Sequence, residues 1–114
     1  MEFSGKKVTV VGTGISGIGA VGLLNAVGAE VVLYDGNEKL KIEDIEKKLG
    51  TYKAEIVLGE LTKELTDSSD LLVISPGVPI DSPVVKAFEA AGVPIWGEVE
   101  LAYACLLYTS DAAD

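Results

Sequence analysis

The sequence predicts an α/β protein with a Rossmann-like, doubly wound sheet of five parallel strands and flanking helices. Apolar runs typical of buried strands alternate with segments of helical periodicity, and this alternation indicates parallel strands joined by right-handed crossovers. A glycine-rich segment follows the first apolar run, and glycine or proline follows most of the others. We expect the strand order 3-2-1-4-5 with helices on both faces of the sheet.

Each element has its own local signal. The first run, KVTVVG, is rich in β-branched residues, as buried strands are. In the second helix acids precede lysines, which suits the helix dipole. The helix that follows the fourth strand has signals at both ends: Ser82 suits the N-cap, Pro83 suits the first turn, and Gly92 suits the position that ends the helix. The predicted elements are strands at Lys7–Gly12, Glu30–Asp35, Ala54–Gly59, Asp70–Ile74 and 93–97, and helices at about Ser16–Val27, Ile42–Gly50, Ser82–Gly92 and from Glu98.

Composition limits the function. The chain has 114 residues, enough for one domain, and nine lysines against 18 acids give a net charge of −9. This balance argues against a nucleic-acid partner. With no histidine and one cysteine, Cys105, we expect no catalytic residue, no metal site and no disulfide within the chain. No apolar run suits a membrane helix or signal peptide, so we expect a cytoplasmic protein without a membrane partner, and a monomer.

The glycine-rich segment is the first candidate site. Gly12-Thr13-Gly14-Ile15-Ser16-Gly17 matches G-x-G-x-x-G between a strand and a helix, where backbone N–H groups and the helix dipole can hold a diphosphate. The alternative is that these glycines serve only the packing of helix on strand. Gly19 and Gly22, further along the helix, are expected to let it lie close to the sheet.

Two other loops belong to the same predicted crevice. Asp35 ends the second strand and could accept hydrogen bonds from a ribose or a nucleobase, or could simply cap the turn Asp35-Gly36-Asn37. Ser75-Pro76-Gly77 follows the fourth strand, at the switch point where open α/β sheets bind ligands, or is a tight connection without a ligand. These residues predict binding of a nucleotide diphosphate and do not select a particular one.

Several segments together resemble one family. VTVVGTGISG, VVLYD, LLVISPGVP and above all GVPIWGEVELAY resemble the N-terminal domain of the D-glutamate-adding Mur ligases of peptidoglycan precursor synthesis. The resemblance covers about Ser4 to Ala104. It implies a domain that binds the UDP part of UDP-N-acetylmuramoyl-L-alanine. The resemblance implies that Gly14, Ile15, Ser16 and Gly17 face the diphosphate. It places Asp35 and Gly36 beside the uracil, and Ser75, Pro76 and Gly77 in the lining of the same pocket.

The resemblance also implies activities outside these residues. The family's full-length enzymes are amide-forming ligases that use ATP and Mg²⁺ to activate the substrate carboxylate, which the amine of D-glutamate then attacks. The ATP-binding P-loop pattern is absent from this sequence, so we expect the chain alone to catalyse nothing. The family often has a hydroxyl residue where this sequence has Gly36.

The sequence predicts two segments. Residues 1–104 are the expected UDP-substrate-binding domain. Cys105 to Asp114 match one reading frame of a common transposase-type sequencing adapter, so we expect residues 105–114 to be a non-native tail. A natural helix continuing beyond Leu101 is the alternative.

Two other functions stay open. The chain could be the NAD(P)-binding domain of a dehydrogenase, on the basis of Gly12–Gly17 and Asp35. It could also be a non-catalytic nucleotide-sensing module. The ligand distinguishes these functions.

Overall fold

Strands and helices alternate along the chain in the computed structural model, which describes residues 3–113 and the side chains of residues 3–107. The strands are β1 (Lys7–Val11), β2 (Glu30–Asp35), β3 (Glu55–Leu58), β4 (Leu71–Ile74) and β5 (Ile95–Gly97). The helices are α1 (Ile15–Ala26), α2 (Ile42–Leu49), α3 (Lys63–Ser68), α4 (Pro83–Ala90) and α5 (Glu98–Ala113).

The strands form one parallel sheet in the order β3-β2-β1-β4-β5. In the register of the sheet Val10 of β1 is paired with Leu33 of β2 on one side and with Val73 of β4 on the other. The predicted fold class and strand order are confirmed. Because all strands point the same way, the loops after β1, β2 and β4 lie at one edge of the sheet.

The two faces of the sheet carry separate apolar cores. Alternate strand residues such as Val8, Val10 and Leu33 pack with α1, α2 and α5 on one face. The intervening residues, such as Val32 and Leu72, pack with α3 and α4 on the other. This alternation follows from the period of two along a strand, and it makes the sheet doubly wound as predicted.

Helix α3 is the element that the sequence does not predict. It has six residues, too few to show a helical period. Thr62 caps it by accepting a hydrogen bond from the Leu65 backbone N–H at 3.3 Å. Just past its end, Ser69 donates to the Leu65 carbonyl at 2.7 Å and lies 2.8 Å from the hydroxyl of Thr9 in β1. The contact between Ser69 and Thr9 depends on tertiary structure, which local periodicity does not reveal.

The predicted tail lies in the last helix. Helix α5 continues from Glu98 to Ala113, and its residue Cys105 is buried against the core, where burial raises the pKa of the thiol. Asp114 and the side chains of residues 108–113 lie outside the described residues. The origin of residues 105–114 stays a prediction, which the codons of the gene would test.

Candidate functional site

The loop between β1 and α1 lies at the carboxyl edge of the sheet, between the ends of β2 and β4. Gly12 has a φ of 109°, a left-handed conformation that side chains rarely adopt. Its N–H donates to the Tyr34 carbonyl at 2.9 Å, and a Cβ at this position would lie 3.1 Å from Ser75 Oγ. Gly12 therefore allows the loop to turn between its two neighbours.

The first turn of α1 is open to solvent. Gly14 is the N-cap and provides no side-chain cap, and the first bond of the helix runs from the Ile18 N–H to the Gly14 carbonyl at 3.0 Å. Gly14 and Ser16 are exposed, and Ile15 is 95% exposed. No acid stands in this turn, so no side chain of the turn itself neutralises the positive end of the helix dipole. This geometry suits an anion.

Some glycines of the motif are required by the packing of helix on strand, and others are not. A Cβ on Gly17 would lie 1.9 Å from the Gly12 carbonyl oxygen, so Gly17 serves close packing. A Cβ on Gly14 would meet nothing within 4 Å, so packing does not require glycine there.

The expectation for Gly19 and Gly22 is wrong. A Cβ on Gly19 would meet nothing within 4 Å, and one on Gly22 would lie 2.7 Å from the ring of Tyr52. Glycine at position 22 therefore leaves room for the Tyr52 ring, which lies in the segment after α2. Neither glycine brings α1 close to the sheet.

Asp35, at the end of β2, is held by its neighbours. Asp35 Oδ2 accepts a hydrogen bond from the Thr13 hydroxyl, and Asp35 Oδ1 accepts one from the Asn37 backbone N–H, both at 3.0 Å. The second bond is the turn-capping role that the sequence suggested as an alternative. The first links Asp35 to the glycine loop and was missed, although a hydroxyl between two loop glycines is a visible signal. A carboxylate has acceptor capacity beyond these two bonds.

The positions on either side of Asp35 differ in burial. Tyr34 is buried and its hydroxyl donates to the Gly59 carbonyl at 2.5 Å; burial raises the pKa of this phenol, and the nearby Asp35 charge adds to the shift. Gly36 is exposed, and a Cβ there would lie 3.6 Å from the Tyr34 hydroxyl oxygen, an ordinary contact. A side chain at position 36 would therefore fit.

The Ser75-Pro76-Gly77 loop lies on the opposite side of the glycine loop from Asp35. The Ser75 hydroxyl donates to the Val11 carbonyl at 3.2 Å, and the Val78 N–H donates to the Ser75 carbonyl at 2.9 Å. Ser75 therefore has a structural role in joining the ends of β4 and β1. Pro76 and Gly77 are exposed, and a Cβ on Gly77 would meet nothing within 4 Å.

An open cavity of about 370 Å³ adjoins the start of α1 and is lined by Gly14, Ile15, Ile18 and Lys48. Lys48 lies near the end of α2 and contributes a cation to the lining of the cavity. The sequence alone did not single out this lysine, because nothing in its local pattern indicates that α2 ends beside α1.

The segment that contributed most to the family resemblance is partly structural. The Gly97 N–H donates to Glu100 Oε1 at 3.3 Å, across the junction where β5 passes directly into α5. Leu101 is fully buried in the core. These contacts give Glu100 and Leu101 structural roles without a ligand, whereas the bond at position 97 uses only a backbone N–H and does not require glycine.

Among the described side chains, those of residues 3–107, no group of three or more could hold a metal ion. No helix within residues 3–113 is long and apolar enough to cross a membrane. The site is thus made of backbone groups, hydroxyls, one carboxylate and a nearby lysine.

Comparison with known proteins places these features in a family. The profile described as Mur ligase MurD-like, N-terminal domain, matches residues 6–97. A protein of Lachnospira eligens named UDP-N-acetylmuramoylalanine–D-glutamate ligase is 62% identical over 103 residues, which cover 90% of this chain and 23% of that protein. The chain thus spans about a quarter of the length of the curated relatives it matches.

Solved structures support the fold. A pseudomurein peptide ligase type C from Methanothermus fervidus superposes with a TM-score of 0.63 at 23% identity, covering 81% of this chain and 19% of that one. Shikimate dehydrogenase from Aquifex aeolicus superposes with a TM-score of 0.61 at 16% identity, covering 89% and 45%. Since a ligase and a dehydrogenase fit almost equally well, the fold alone does not discriminate between their ligands.

Proposed function

Because the chain belongs to the family of Mur ligase MurD-like N-terminal domains, we propose that it binds the uridine diphosphate part of UDP-N-acetylmuramoyl-L-alanine. The open first turn of α1 carries this proposal. There Gly14 has free space where a side chain would stand, while Gly17 is required by packing. Packing alone gives no reason for a glycine at position 14, whereas a phosphate approaching the backbone does.

Each loop has a distinct task in this proposal. The N–H groups at Ile15, Ser16 and Gly17 precede the first bond of α1 and hold the diphosphate without any arginine. Asp35, already oriented by two hydrogen bonds, accepts from a donor on the uracil, beside Gly36.

The Ser75-Pro76-Gly77 loop closes the other side of the site. Its exposed Pro76 and Gly77 offer a stiff wall with an accessible backbone, while Ser75 keeps the loop attached to β1. We assign the ligand contacts to Pro76 and Gly77, and to Ser75 only the anchoring of the loop.

The parent protein is proposed to be a cytoplasmic, ATP-dependent ligase of peptidoglycan precursor synthesis that joins D-glutamate to this nucleotide, as the relatives' names suggest. ATP and Mg²⁺ supply the activation of the carboxylate in such an enzyme. The described residues of this chain include no set of ligands for that metal, so no step of the ATP chemistry is assigned to them. The 114 residues are proposed to bind the nucleotide and to catalyse nothing by themselves.

The proposal is tested by the choice of ligand. In ¹⁵N-resolved NMR titrations of the chain, we expect UDP to shift the amide resonances of Ile15, Asp35 and Gly77, one from each loop. Uridine, which lacks the diphosphate, should leave Ile15 unshifted. If NADH shifts these amides and UDP does not, the chain is a dinucleotide-binding domain instead.

A further inference from the structure

Thr13 is a buried hydroxyl residue inside the glycine loop, 6% exposed, and its side chain points to the loop that follows β2. Its hydroxyl donates to Asp35 Oδ2 at 3.0 Å across 22 residues of sequence. The backbone bond from the Gly12 N–H to the Tyr34 carbonyl runs beside it, at 2.9 Å. Two adjacent bonds therefore connect the loop proposed to face the phosphates with the end of β2, and one of them reaches Asp35, the residue proposed to face the base.

These bonds restrict the Asp35 carboxylate. One oxygen accepts from Thr13 and the other from the Asn37 N–H, so rotation about the side-chain torsion would break both. A carboxylate held in this way keeps further lone pairs for a ligand and loses little entropy when the ligand arrives. Without the Thr13 hydroxyl, one oxygen would be left without its partner inside the fold.

We propose that Thr13 is a positioning residue, which orients Asp35 through its hydroxyl and so sets the preference of the site for uracil over cytosine. This inference rests on the proposed function. Uracil presents an N–H donor at N3, which a carboxylate accepts, whereas cytosine presents an unprotonated acceptor there, which a carboxylate repels. A carboxylate that is free to turn away would discriminate less between the two bases.

The test compares Thr13→Val, which has nearly the same shape and no hydroxyl, with Thr13→Ser, which keeps the hydroxyl. Dissociation constants are measured for UDP, CDP and inorganic pyrophosphate by calorimetry or NMR. We expect Thr13→Val to weaken UDP binding by about five- to tenfold, the size of one hydrogen bond. Its affinity for pyrophosphate should stay within about twofold of the original. Its ratio of UDP affinity to CDP affinity should fall. Thr13→Ser should keep both the UDP affinity and the affinity ratio of the unmodified chain.

The outcomes separate the two proposals. If the unmodified chain binds UDP and Thr13→Val binds it equally well, the positioning role is wrong and the proposed function stands. If Thr13→Val loses affinity for UDP and for pyrophosphate equally, the positioning role is also wrong, because equal losses would indicate damage to the whole loop. If the unmodified chain does not bind UDP, both proposals fall. Thr13→Ala removes the same hydroxyl with less bulk and decides the question if Thr13→Val does not fold.

Discussion

Gly14 and Gly17 stand three residues apart at the start of α1, and their surroundings predict opposite results for substitution. Gly14→Val would place a branched side chain in open space, where the phosphate is proposed to bind. Because valine is a poorer N-cap residue than glycine, we expect the free energy of unfolding to fall by about 1 kcal/mol at most, while UDP binding is lost. Calorimetry with UDP and urea unfolding measure the two effects.

Gly17→Ala is the matched control. Its Cβ would collide with the Gly12 carbonyl, so we expect the free energy of unfolding to fall by about 1–3 kcal/mol. If Gly14→Val folds and keeps its affinity for UDP, the diphosphate does not bind at the first turn of α1.

Because of Tyr34, we expect the free energy of unfolding to fall with rising pH in the alkaline range. Burial and then the charge of Asp35 raise its pKa above the model-compound value of 10.0 in the folded chain, while the unfolded chain keeps the ordinary value. Between these two pKa values the unfolded state holds fewer protons than the folded state, so stability falls as pH rises. The stabilisation is complete below pH 10 and is lost as pH rises through the folded pKa.

We expect the free energy of unfolding of Tyr34→Phe to depend less on alkaline pH than that of the unmodified chain. Near pH 8 the variant should be less stable by about 1 kcal/mol, because the bond to the Gly59 carbonyl is missing. This deficit should shrink as pH rises above 10. Urea unfolding at several pH values measures it, and parallel curves for the two proteins would show that Tyr34 does not cause the alkaline loss.

At the scale of elements, a buried chain of hydroxyls attaches α3 to the sheet. The Ser69 hydroxyl proton goes to the Leu65 carbonyl, so the fully buried Thr9 hydroxyl donates to Ser69 Oγ. Ser69→Ala would leave the Thr9 hydroxyl without its partner, and we expect it to lower the free energy of unfolding by about 1–3 kcal/mol.

The double variant Thr9→Val/Ser69→Ala provides the control. It replaces both ends of the bond with apolar groups, so it should be more stable than Ser69→Ala alone, as measured by urea unfolding. A double variant that shows the sum of the two single losses would mean that the hydroxyls do not act as a pair.

The elements also show how far the sequence predicts this fold. Strand patterns and the order of the sheet were predictable, because buried parallel strands are continuous apolar runs and crossovers have one hand. Helix α3 was not, since a six-residue helix has no measurable period. Within the site, the loops were predictable from glycine and turn signals. Thr13 carries a sequence signal, a hydroxyl between two loop glycines, but its partner Asp35 and the position of Lys48 were not predictable, because they depend on which loops and helices meet in space.

At the scale of the whole molecule, the site belongs to a strongly acidic chain. The net charge is −9, and the radius of gyration is 13.3 Å. The Debye length is about 30 Å at 0.01 M salt and about 8 Å at 0.15 M. At low salt the field of the entire chain therefore reaches an approaching diphosphate and repels it.

We therefore expect UDP affinity to rise with salt, by about two- to threefold between 0.01 M and 0.2 M sodium chloride, because screening removes the long-range repulsion. The backbone N–H groups of α1 act at short range and are screened much less than the distant acids. Uridine carries no phosphate and should show no such trend in the same calorimetric series. A falling affinity for UDP would mean that a cationic side chain supplies the main attraction. Lys48 is then the first to test, because it lies beside Gly14 in the cavity, and Lys48→Gln should abolish that salt dependence.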